Sequence, residues 1–242
     1  MEGVNLTIFQ LSSFKSFQPY NIKPHKPSNS PQNLLNWFER ANNHEAMAKN
    51  RFEKTIASFD AINAEDPHKE VIDGKEVPKE LVYGHRMTGM LLDFEPEASE
   101  TLRLAARCQH IKRWEIPRED YPMDRKGYLL WRTKLKKFHG ELAGKLMKEH
   151  GYDDDDIQKV DDLLNKRRLK TDPETQALED VVCLVFLKYY FDDFIAKHRD
   201  EEGKLVDIVQ KTWRKMSEKG HQAALAMSHS DEALGIVQKA LA

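Results

Sequence analysis

The stretch KGYLLWRTKLKKFHGELAGKLMKEHG, residues 126–151, decides the fold class. Its apolar residues fall at Tyr128, Trp131, Leu135, Phe138, Leu142 and Leu146, in steps of three and four. That spacing predicts one face of an α-helix packed into a core. Gly151 supplies a C-terminal cap. His139 follows Leu135 by four residues and precedes Ala143 by four, which places it in or beside the buried face. A buried imidazole costs free energy unless it finds a partner. The helix that organises the fold therefore also poses its chemical question.

The same period continues on both sides. Phe52, Ile56, Phe59 and Ile62 mark an earlier amphipathic helix. Asp73-Gly74 predicts a turn that closes a short hairpin or loop. Pro78 opens a helix through Leu81, Val82, His85, Gly89 and Leu92. Pro96 starts the next, with Leu102, Ala105, Ala106 and Cys108 apolar. A loop holding Pro117, Pro122 and Gly127 leads into the organising helix. Beyond it, Asp153 starts a helix with Ile157, Val160, Leu163 and Leu164 inward, and the acidic run 153–156 reads as its first turn. Asp172-Pro173 pairs an N-cap with proline at the first helical position, and that helix is expected to reach about His198. Shorter helices close the chain, the last around Glu232 to Leu241. No stretch alternates with period two over five residues. The expected architecture is all-α: one domain over residues 33–242, of eight or more helices.

Composition narrows the function classes. Charged residues make up 32% of the chain, yet the net charge is only −2, so both signs are interleaved. This argues against a general pull on nucleic acid or membrane. The two cysteines, Cys108 and Cys183, sit in apolar helical contexts and read as core. No disulfide framework is expected, and a reducing, cytoplasmic setting fits. No apolar run approaches the roughly 20 residues of a membrane span. Residues 1–32 are rich in Ser, Asn and Pro, and Glu2 is the only acid before Glu39. They read as a disordered extension or, alternatively, as an organelle-import segment.

Four helices carry a polar residue on the side expected to be buried. His85 follows Leu81 by four, His110 follows Ala106 by four, and His139 lies on the organising helix. Asp180 lies in the row Ala177, Leu184, Leu187 and Phe191, with Glu179 beside it. Imidazoles with a carboxylate suit a divalent metal or an acid–base pair tuned by burial. The alternative is a core network that satisfies itself. After His110 come Lys112, Arg113, Arg118, Arg125 and Arg132, interleaved with Trp114, Tyr121 and Trp131. Guanidinium forks suit phosphate, and the aromatics suit a stacked base. The run Lys166-Arg167-Arg168-Leu169-Lys170 either offsets a helix dipole or contacts a phosphate or RNA.

The segments YGHRM (83–87), LRLAARCQHI (102–111), FHGELAGKLMKEHGYD (138–153) and ALEDVVCLV (177–185) resemble, in their order, the HD-type metal-dependent phosphohydrolases. The resemblance covers about residues 80–195. It implies an HD-domain-like helical bundle that hydrolyses a phosphoester, often in a nucleotide, through a metal-activated water. On this reading His85, His110, His139 and Asp180 hold a divalent metal (Mn, Fe, Ni, Co or Zn). His110, Glu179 and Asp180 carry the catalysis. Arg113, Trp114, Arg132 and Lys170 hold the substrate. The family's His-Asp pair falls on Gln109-His110, so a histidine stands where a bridging carboxylate is expected.

Three longer segments, LAARCQHIKRWEIPR (104–118), KTDPETQALEDVVCLVFL (170–187) and KTWRKMS (211–217), resemble a domain-of-unknown-function family, DUF4202, over about residues 51–225. Some members carry a glutamyl-tRNA synthetase label. Lys215-Met216-Ser217-Glu218-Lys219 resembles the Lys-Met-Ser-Lys-Ser loop of such enzymes, although no His-x-Gly-His motif accompanies it. It reads more simply as the cap of a helix starting after Ser217. The leading expectation is an HD-like phosphohydrolase acting on a nucleotide or phosphorylated small molecule. The alternative is an inert helical module that binds a nucleotide or RNA through the same arginines. A role in tRNA charging stands third.

Overall fold

Short polar side chains punctuate the chain and fix where its helices begin. Ser99, Asp124, Asp153, Asp172, Ser217 and Ser230 each accept a hydrogen bond from the backbone N–H three residues on. Each satisfies a donor that a helix start would leave orphaned. The computed structural model describes residues 31–242, with side chains from Ala46 onward. Helix α1 (Pro31–Asn63) leads into a hairpin of β1 (Lys69–Ile72) and β2 (Lys75–Pro78). Its turn places Asp73 at φ 50° and Gly74 at φ 75°, the left-handed pair that a two-residue hairpin turn requires. There follow α2 (Lys79–Phe94), α3 (Glu100–Arg107), two 3-10 turns (Arg113–Glu115 and Arg118–Asp120) and α4 (Arg125–Glu149). Then come α5 (Asp154–Leu164), α6 (Pro173–Tyr189), α7 (Phe191–Lys197), α8 (Glu202–Trp213), α9 (Glu218–Leu225) and α10 (Asp231–Leu241). Apart from the hairpin the described residues are all-α. Ala46–Ala242 form one unit with its own core; residues 1–30 of the N-terminal tail lie outside the described residues.

The core is centred on α6. Ala177, Leu178, Val181, Cys183, Leu184, Val185 and Leu187 are all buried, so this helix is apolar nearly all round. It packs against α2, α3, α5 and α9. Helix α4, which its periodicity casts as the organiser, is instead a flank. It buries Trp131, Leu135, His139, Ala143 and Met147 along one face and packs chiefly on α5. Tyr128 lies outside that face and is exposed. Two element boundaries also move. Helix α3 starts after Ser99 rather than at Pro96, because Ser99 and not the proline provides the cap. Helix α6 stops at Tyr189, and the chain turns at Tyr190 (φ −128°) before α7.

Two close approaches lock α4 in place. A Cβ on Gly140 would lie 2.0 Å from Asp161 Oδ1 on α5, and one on Gly127 would lie 2.0 Å from the Pro122 carbonyl oxygen. The second obstacle is backbone and cannot rotate away. Gly127→Ala is therefore expected to cost about 3 kcal/mol, at the upper end of overpacking penalties, read from the urea midpoint. A midpoint equal to the parent's would contradict this packing. No helix among the described residues is long and apolar enough to cross a membrane.

Candidate anion-binding site

A cavity of 350 Å³ opens where six separated segments meet. The start of α2 brings Lys79, Glu80 and Tyr83. The link from α3 to α4 brings Gln109, His110 and Arg113. Helix α4 adds Tyr128 and Arg132, and the turn after α5 adds Lys166. One wall, from α6, α8 and the turn after α8, holds Val182, Phe186 and Ile208 together with Glu179 and Lys215. One side is therefore apolar and aromatic and the other strongly cationic.

His110 is the hinge of the polar side. Tyr83 stacks on it, with centroids 3.9 Å apart and planes at 11°, while its hydroxyl donates to Gln109 Oε1 at 3.0 Å. Arg113 Nη1 donates to His110 Nε2 at 3.0 Å. A guanidinium only donates, so Nε2 carries no proton and Nδ1 carries it. That N–H faces Glu80 Oε2 at 3.3 Å. A donor chain thus runs from Arg113 through neutral His110 to Glu80. Arg113 also lies 3.8 Å from Glu80 and over the Trp131 ring at 4.7 Å.

Burial sets the protonation states. Desolvation pushes the Glu80 carboxyl up to about 7, although Arg113 pulls against it. Desolvation, reinforced by Arg113, holds His110 well below the ordinary histidine range. His139 falls to about 3 through burial, with Arg113 and Arg132 adding to the effect. Burial lifts the Cys183 thiol to about 12, so it is no nucleophile. One of the cavity's cations sits on a left-handed backbone: Lys166 has φ 57°. Non-glycine residues in this region cost energy and concentrate at functional sites.

Sequence and structure agree on part of the candidate set. His110, Arg113, Arg132 and Glu179 line the cavity. His139 lies behind His110, with ring centroids 6.0 Å apart, and is 3% exposed. Glu179 forms an ion pair with Lys166. The remaining candidates go elsewhere. The buried side of α2 is Glu80, Tyr83, Met87, Met90 and Leu91, so the row Leu81, His85, Gly89, Leu92 faces outward. His85 Nε2 accepts from Arg107 Nη2 at 2.7 Å, and Arg107 grips Asp60 through two bonds of 2.7 and 2.6 Å. Asp180 is buried but saturated. It accepts from Ser217 N at 2.8 Å, Ser217 Oγ at 2.5 Å and Gln176 Nε2 at 3.1 Å. Neither Trp114 nor Lys170 lines the cavity, and Lys170 is exposed.

The expected metal set of His85, His110, His139 and Asp180 is therefore not brought together. Among the described residues no group of three His, Cys, Asp or Glu side chains is gathered as a metal would need. The residues do not fit the resident metal that the HD-type resemblance implies. Sequence reasoning misses Glu80, Tyr83, Lys215 and Tyr190. For Glu80 there is one signal in the chain: it precedes Tyr83 by three and Gly84 by four, one turn ahead on the buried face of α2. The Lys215-Met216-Ser217 segment has a structural role. Ser217 caps α9 and ties to Asp180, which presents Lys215 at the cavity.

A family model described as Domain of unknown function (DUF4202) matches residues 53–237. The chain belongs to the DUF4202 family. No curated protein matches it, and no solved structure does. Every segment of the cavity, from Lys79 to Lys215, lies inside the matched DUF4202 stretch.

Proposed function

We propose that this DUF4202 domain binds a phosphorylated small molecule of nucleotide size and hydrolyses its phosphoester. The observation that carries the reading is Glu80, a carboxyl poised near neutrality, in one cavity with Arg113, Arg132, Lys166 and Lys215. Among the described residues neither Arg132 nor Lys215 has a carboxylate partner, so both cations remain open to a ligand anion. Arg113 and Arg132 hold the non-bridging oxygens of the phosphoryl group. The apolar wall of Val182, Phe186 and Ile208, with the Tyr83 and Tyr190 rings, receives the organic part.

Glu80 acts as general base and then as general acid. It takes a proton from water as the oxygen–phosphorus bond forms. It returns that proton to the ester oxygen as the old bond breaks, so the carboxyl ends as it began. His110 is a positioning residue, since its Nδ1–H fixes the Glu80 carboxylate. The test is phosphate release from a panel of nucleotides and sugar phosphates. Arg132→Ala should weaken substrate binding by about tenfold or more, the size of a lost charged hydrogen bond, and leave the melting temperature within about two degrees. An unchanged KM would remove Arg132 from the site.

A second reading has an observation of its own. Because no three metal donors are gathered among the described residues, the cavity can equally serve recognition without turnover. Tight binding of a nucleotide in equilibrium dialysis, with no phosphate released, would select that reading.

A further inference from the structure

A second, very small chamber opens behind His110. It shares His110, Arg113, Arg132 and Lys166 with the main cavity and is closed by Lys136 and His139. Its volume of 10 Å³ admits about one water-sized group. His139 Nε2 is buried there without a hydrogen-bond partner. The Gln109 backbone carbonyl lies toward the ring's other nitrogen and favours a proton there. A carbonyl only accepts, so that nitrogen carries the proton and Nε2 is a bare acceptor. The cations around it are all donors, and His110 Nε2 is already taken by Arg113.

A single atom entering this chamber meets donors on one side and one bare acceptor on the other. An oxygen that satisfies both must accept from the cations and donate to His139. A water does so, and among the oxygens of an oxyanion only a hydroxyl does. We infer that the chamber takes the P–OH of a phosphomonoester or of inorganic phosphate, so that the site prefers these to sulfate and to phosphodiesters. Sulfate and diesters offer acceptors alone and leave His139 Nε2 unpaired. Sites with a buried polar group discriminate strongly against analogues that lack its partner. The inference rests on the anion-binding half of the proposed function and deepens it, since it names which end of the ligand enters first.

The experiment is calorimetric titration of the full chain with inorganic phosphate and with sulfate at about pH 6, near the second pKa of a phosphomonoester. Phosphate should bind about tenfold or more tightly than sulfate. His139→Leu, which removes the acceptor and fills the space, should bring the two affinities within about twofold through loss of phosphate affinity alone. His139→Gln, which keeps an acceptor, should retain part of the preference. Equal affinities in the parent chain overturn the inference and leave the anion site standing, as when the chamber holds only a water. A preference that survives in His139→Leu overturns it too. If neither anion binds the parent chain, the proposed function fails with it. The parent comparison needs no variant, so a misfolded His139→Leu cannot shelter the inference.

Discussion

Asp180→Ala should lower the unfolding free energy by about 3–5 kcal/mol, one of the largest effects expected of any substitution in the chain. Asp180 is 1% exposed and accepts three hydrogen bonds, two of them from Ser217. Removal of its carboxylate strands the Ser217 N–H and hydroxyl beneath α9 and opens a void beside Gly220, where a Cβ would lie 2.7 Å from Asp180 Oδ1. Orphaned buried donors cost more than the bonds themselves were worth. For a domain of this size the melting temperature should fall by roughly 10 °C. Asp180→Asn keeps an acceptor for the Ser217 amide and should lose less than half of this. A metal ligand or catalytic acid would behave in the opposite way, with activity lost and melting unchanged. Thermal melting of Asp180→Ala within about two degrees of the parent would sink the structural role.

Glu80→Gln should separate stability from activity. The folded carboxyl titrates at about 7, above its ordinary 4.5, because burial opposes its charge. Folding therefore favours the protonated form. The protein gains most from this group below pH 4.5 and loses that stability as pH rises towards 7, after which the loss is complete. Glutamine cannot ionise and escapes that loss. At about pH 8 the variant should match or exceed the parent's stability, by up to about 3 kcal/mol. Phosphoester turnover should nevertheless fall by about 10²–10⁴-fold. In the parent the rate should rise as pH passes through about 7, because a general base works in its ionised form, and Glu80→Gln should flatten that limb. A variant that is both less stable at pH 8 and fully active would contradict the assignment.

The fold was legible where chemistry is local. Asp172-Pro173, Asp153 and Gly151 mark helix ends through bonds to neighbours three or four residues away, and Asp73-Gly74 encodes its turn in two dihedral angles. Periodicity found α4 and placed His139 on its buried face. The same tool misread α2. Leu81, Gly89 and Leu92 recur at helical spacing just as Tyr83, Met87, Met90 and Leu91 do, and only packing against α3 and α6 decides which row is covered. His85 was lost to the site by that choice, and Glu80 was gained. An acid in a helix's first turn ordinarily answers the dipole, so the spacing of Glu80 to Tyr83 and Gly84 becomes a signal only once packing shows which face of α2 is covered. Asp180 is buried, as its row on α6 predicts. Its partner Ser217 lies beyond α7 and α8, where no spacing rule reaches. The apparent synthetase loop and the apparent metal ligand turn out to be two halves of one latch.

The cavity is built from segments that begin at Lys79 and end at Lys215. No shorter contiguous fragment contains it, and it exists only once the whole unit has closed. Whatever occupies it must therefore bind the native state and ignore the unfolded chain. Mass action then ties occupancy to stability: a ligand at about 100 times its dissociation constant adds about 2.7 kcal/mol, a shift of several degrees for a domain of this size. Heat becomes a reporter that needs no knowledge of the reaction, since a compound that belongs in this pocket announces itself by delaying the melt.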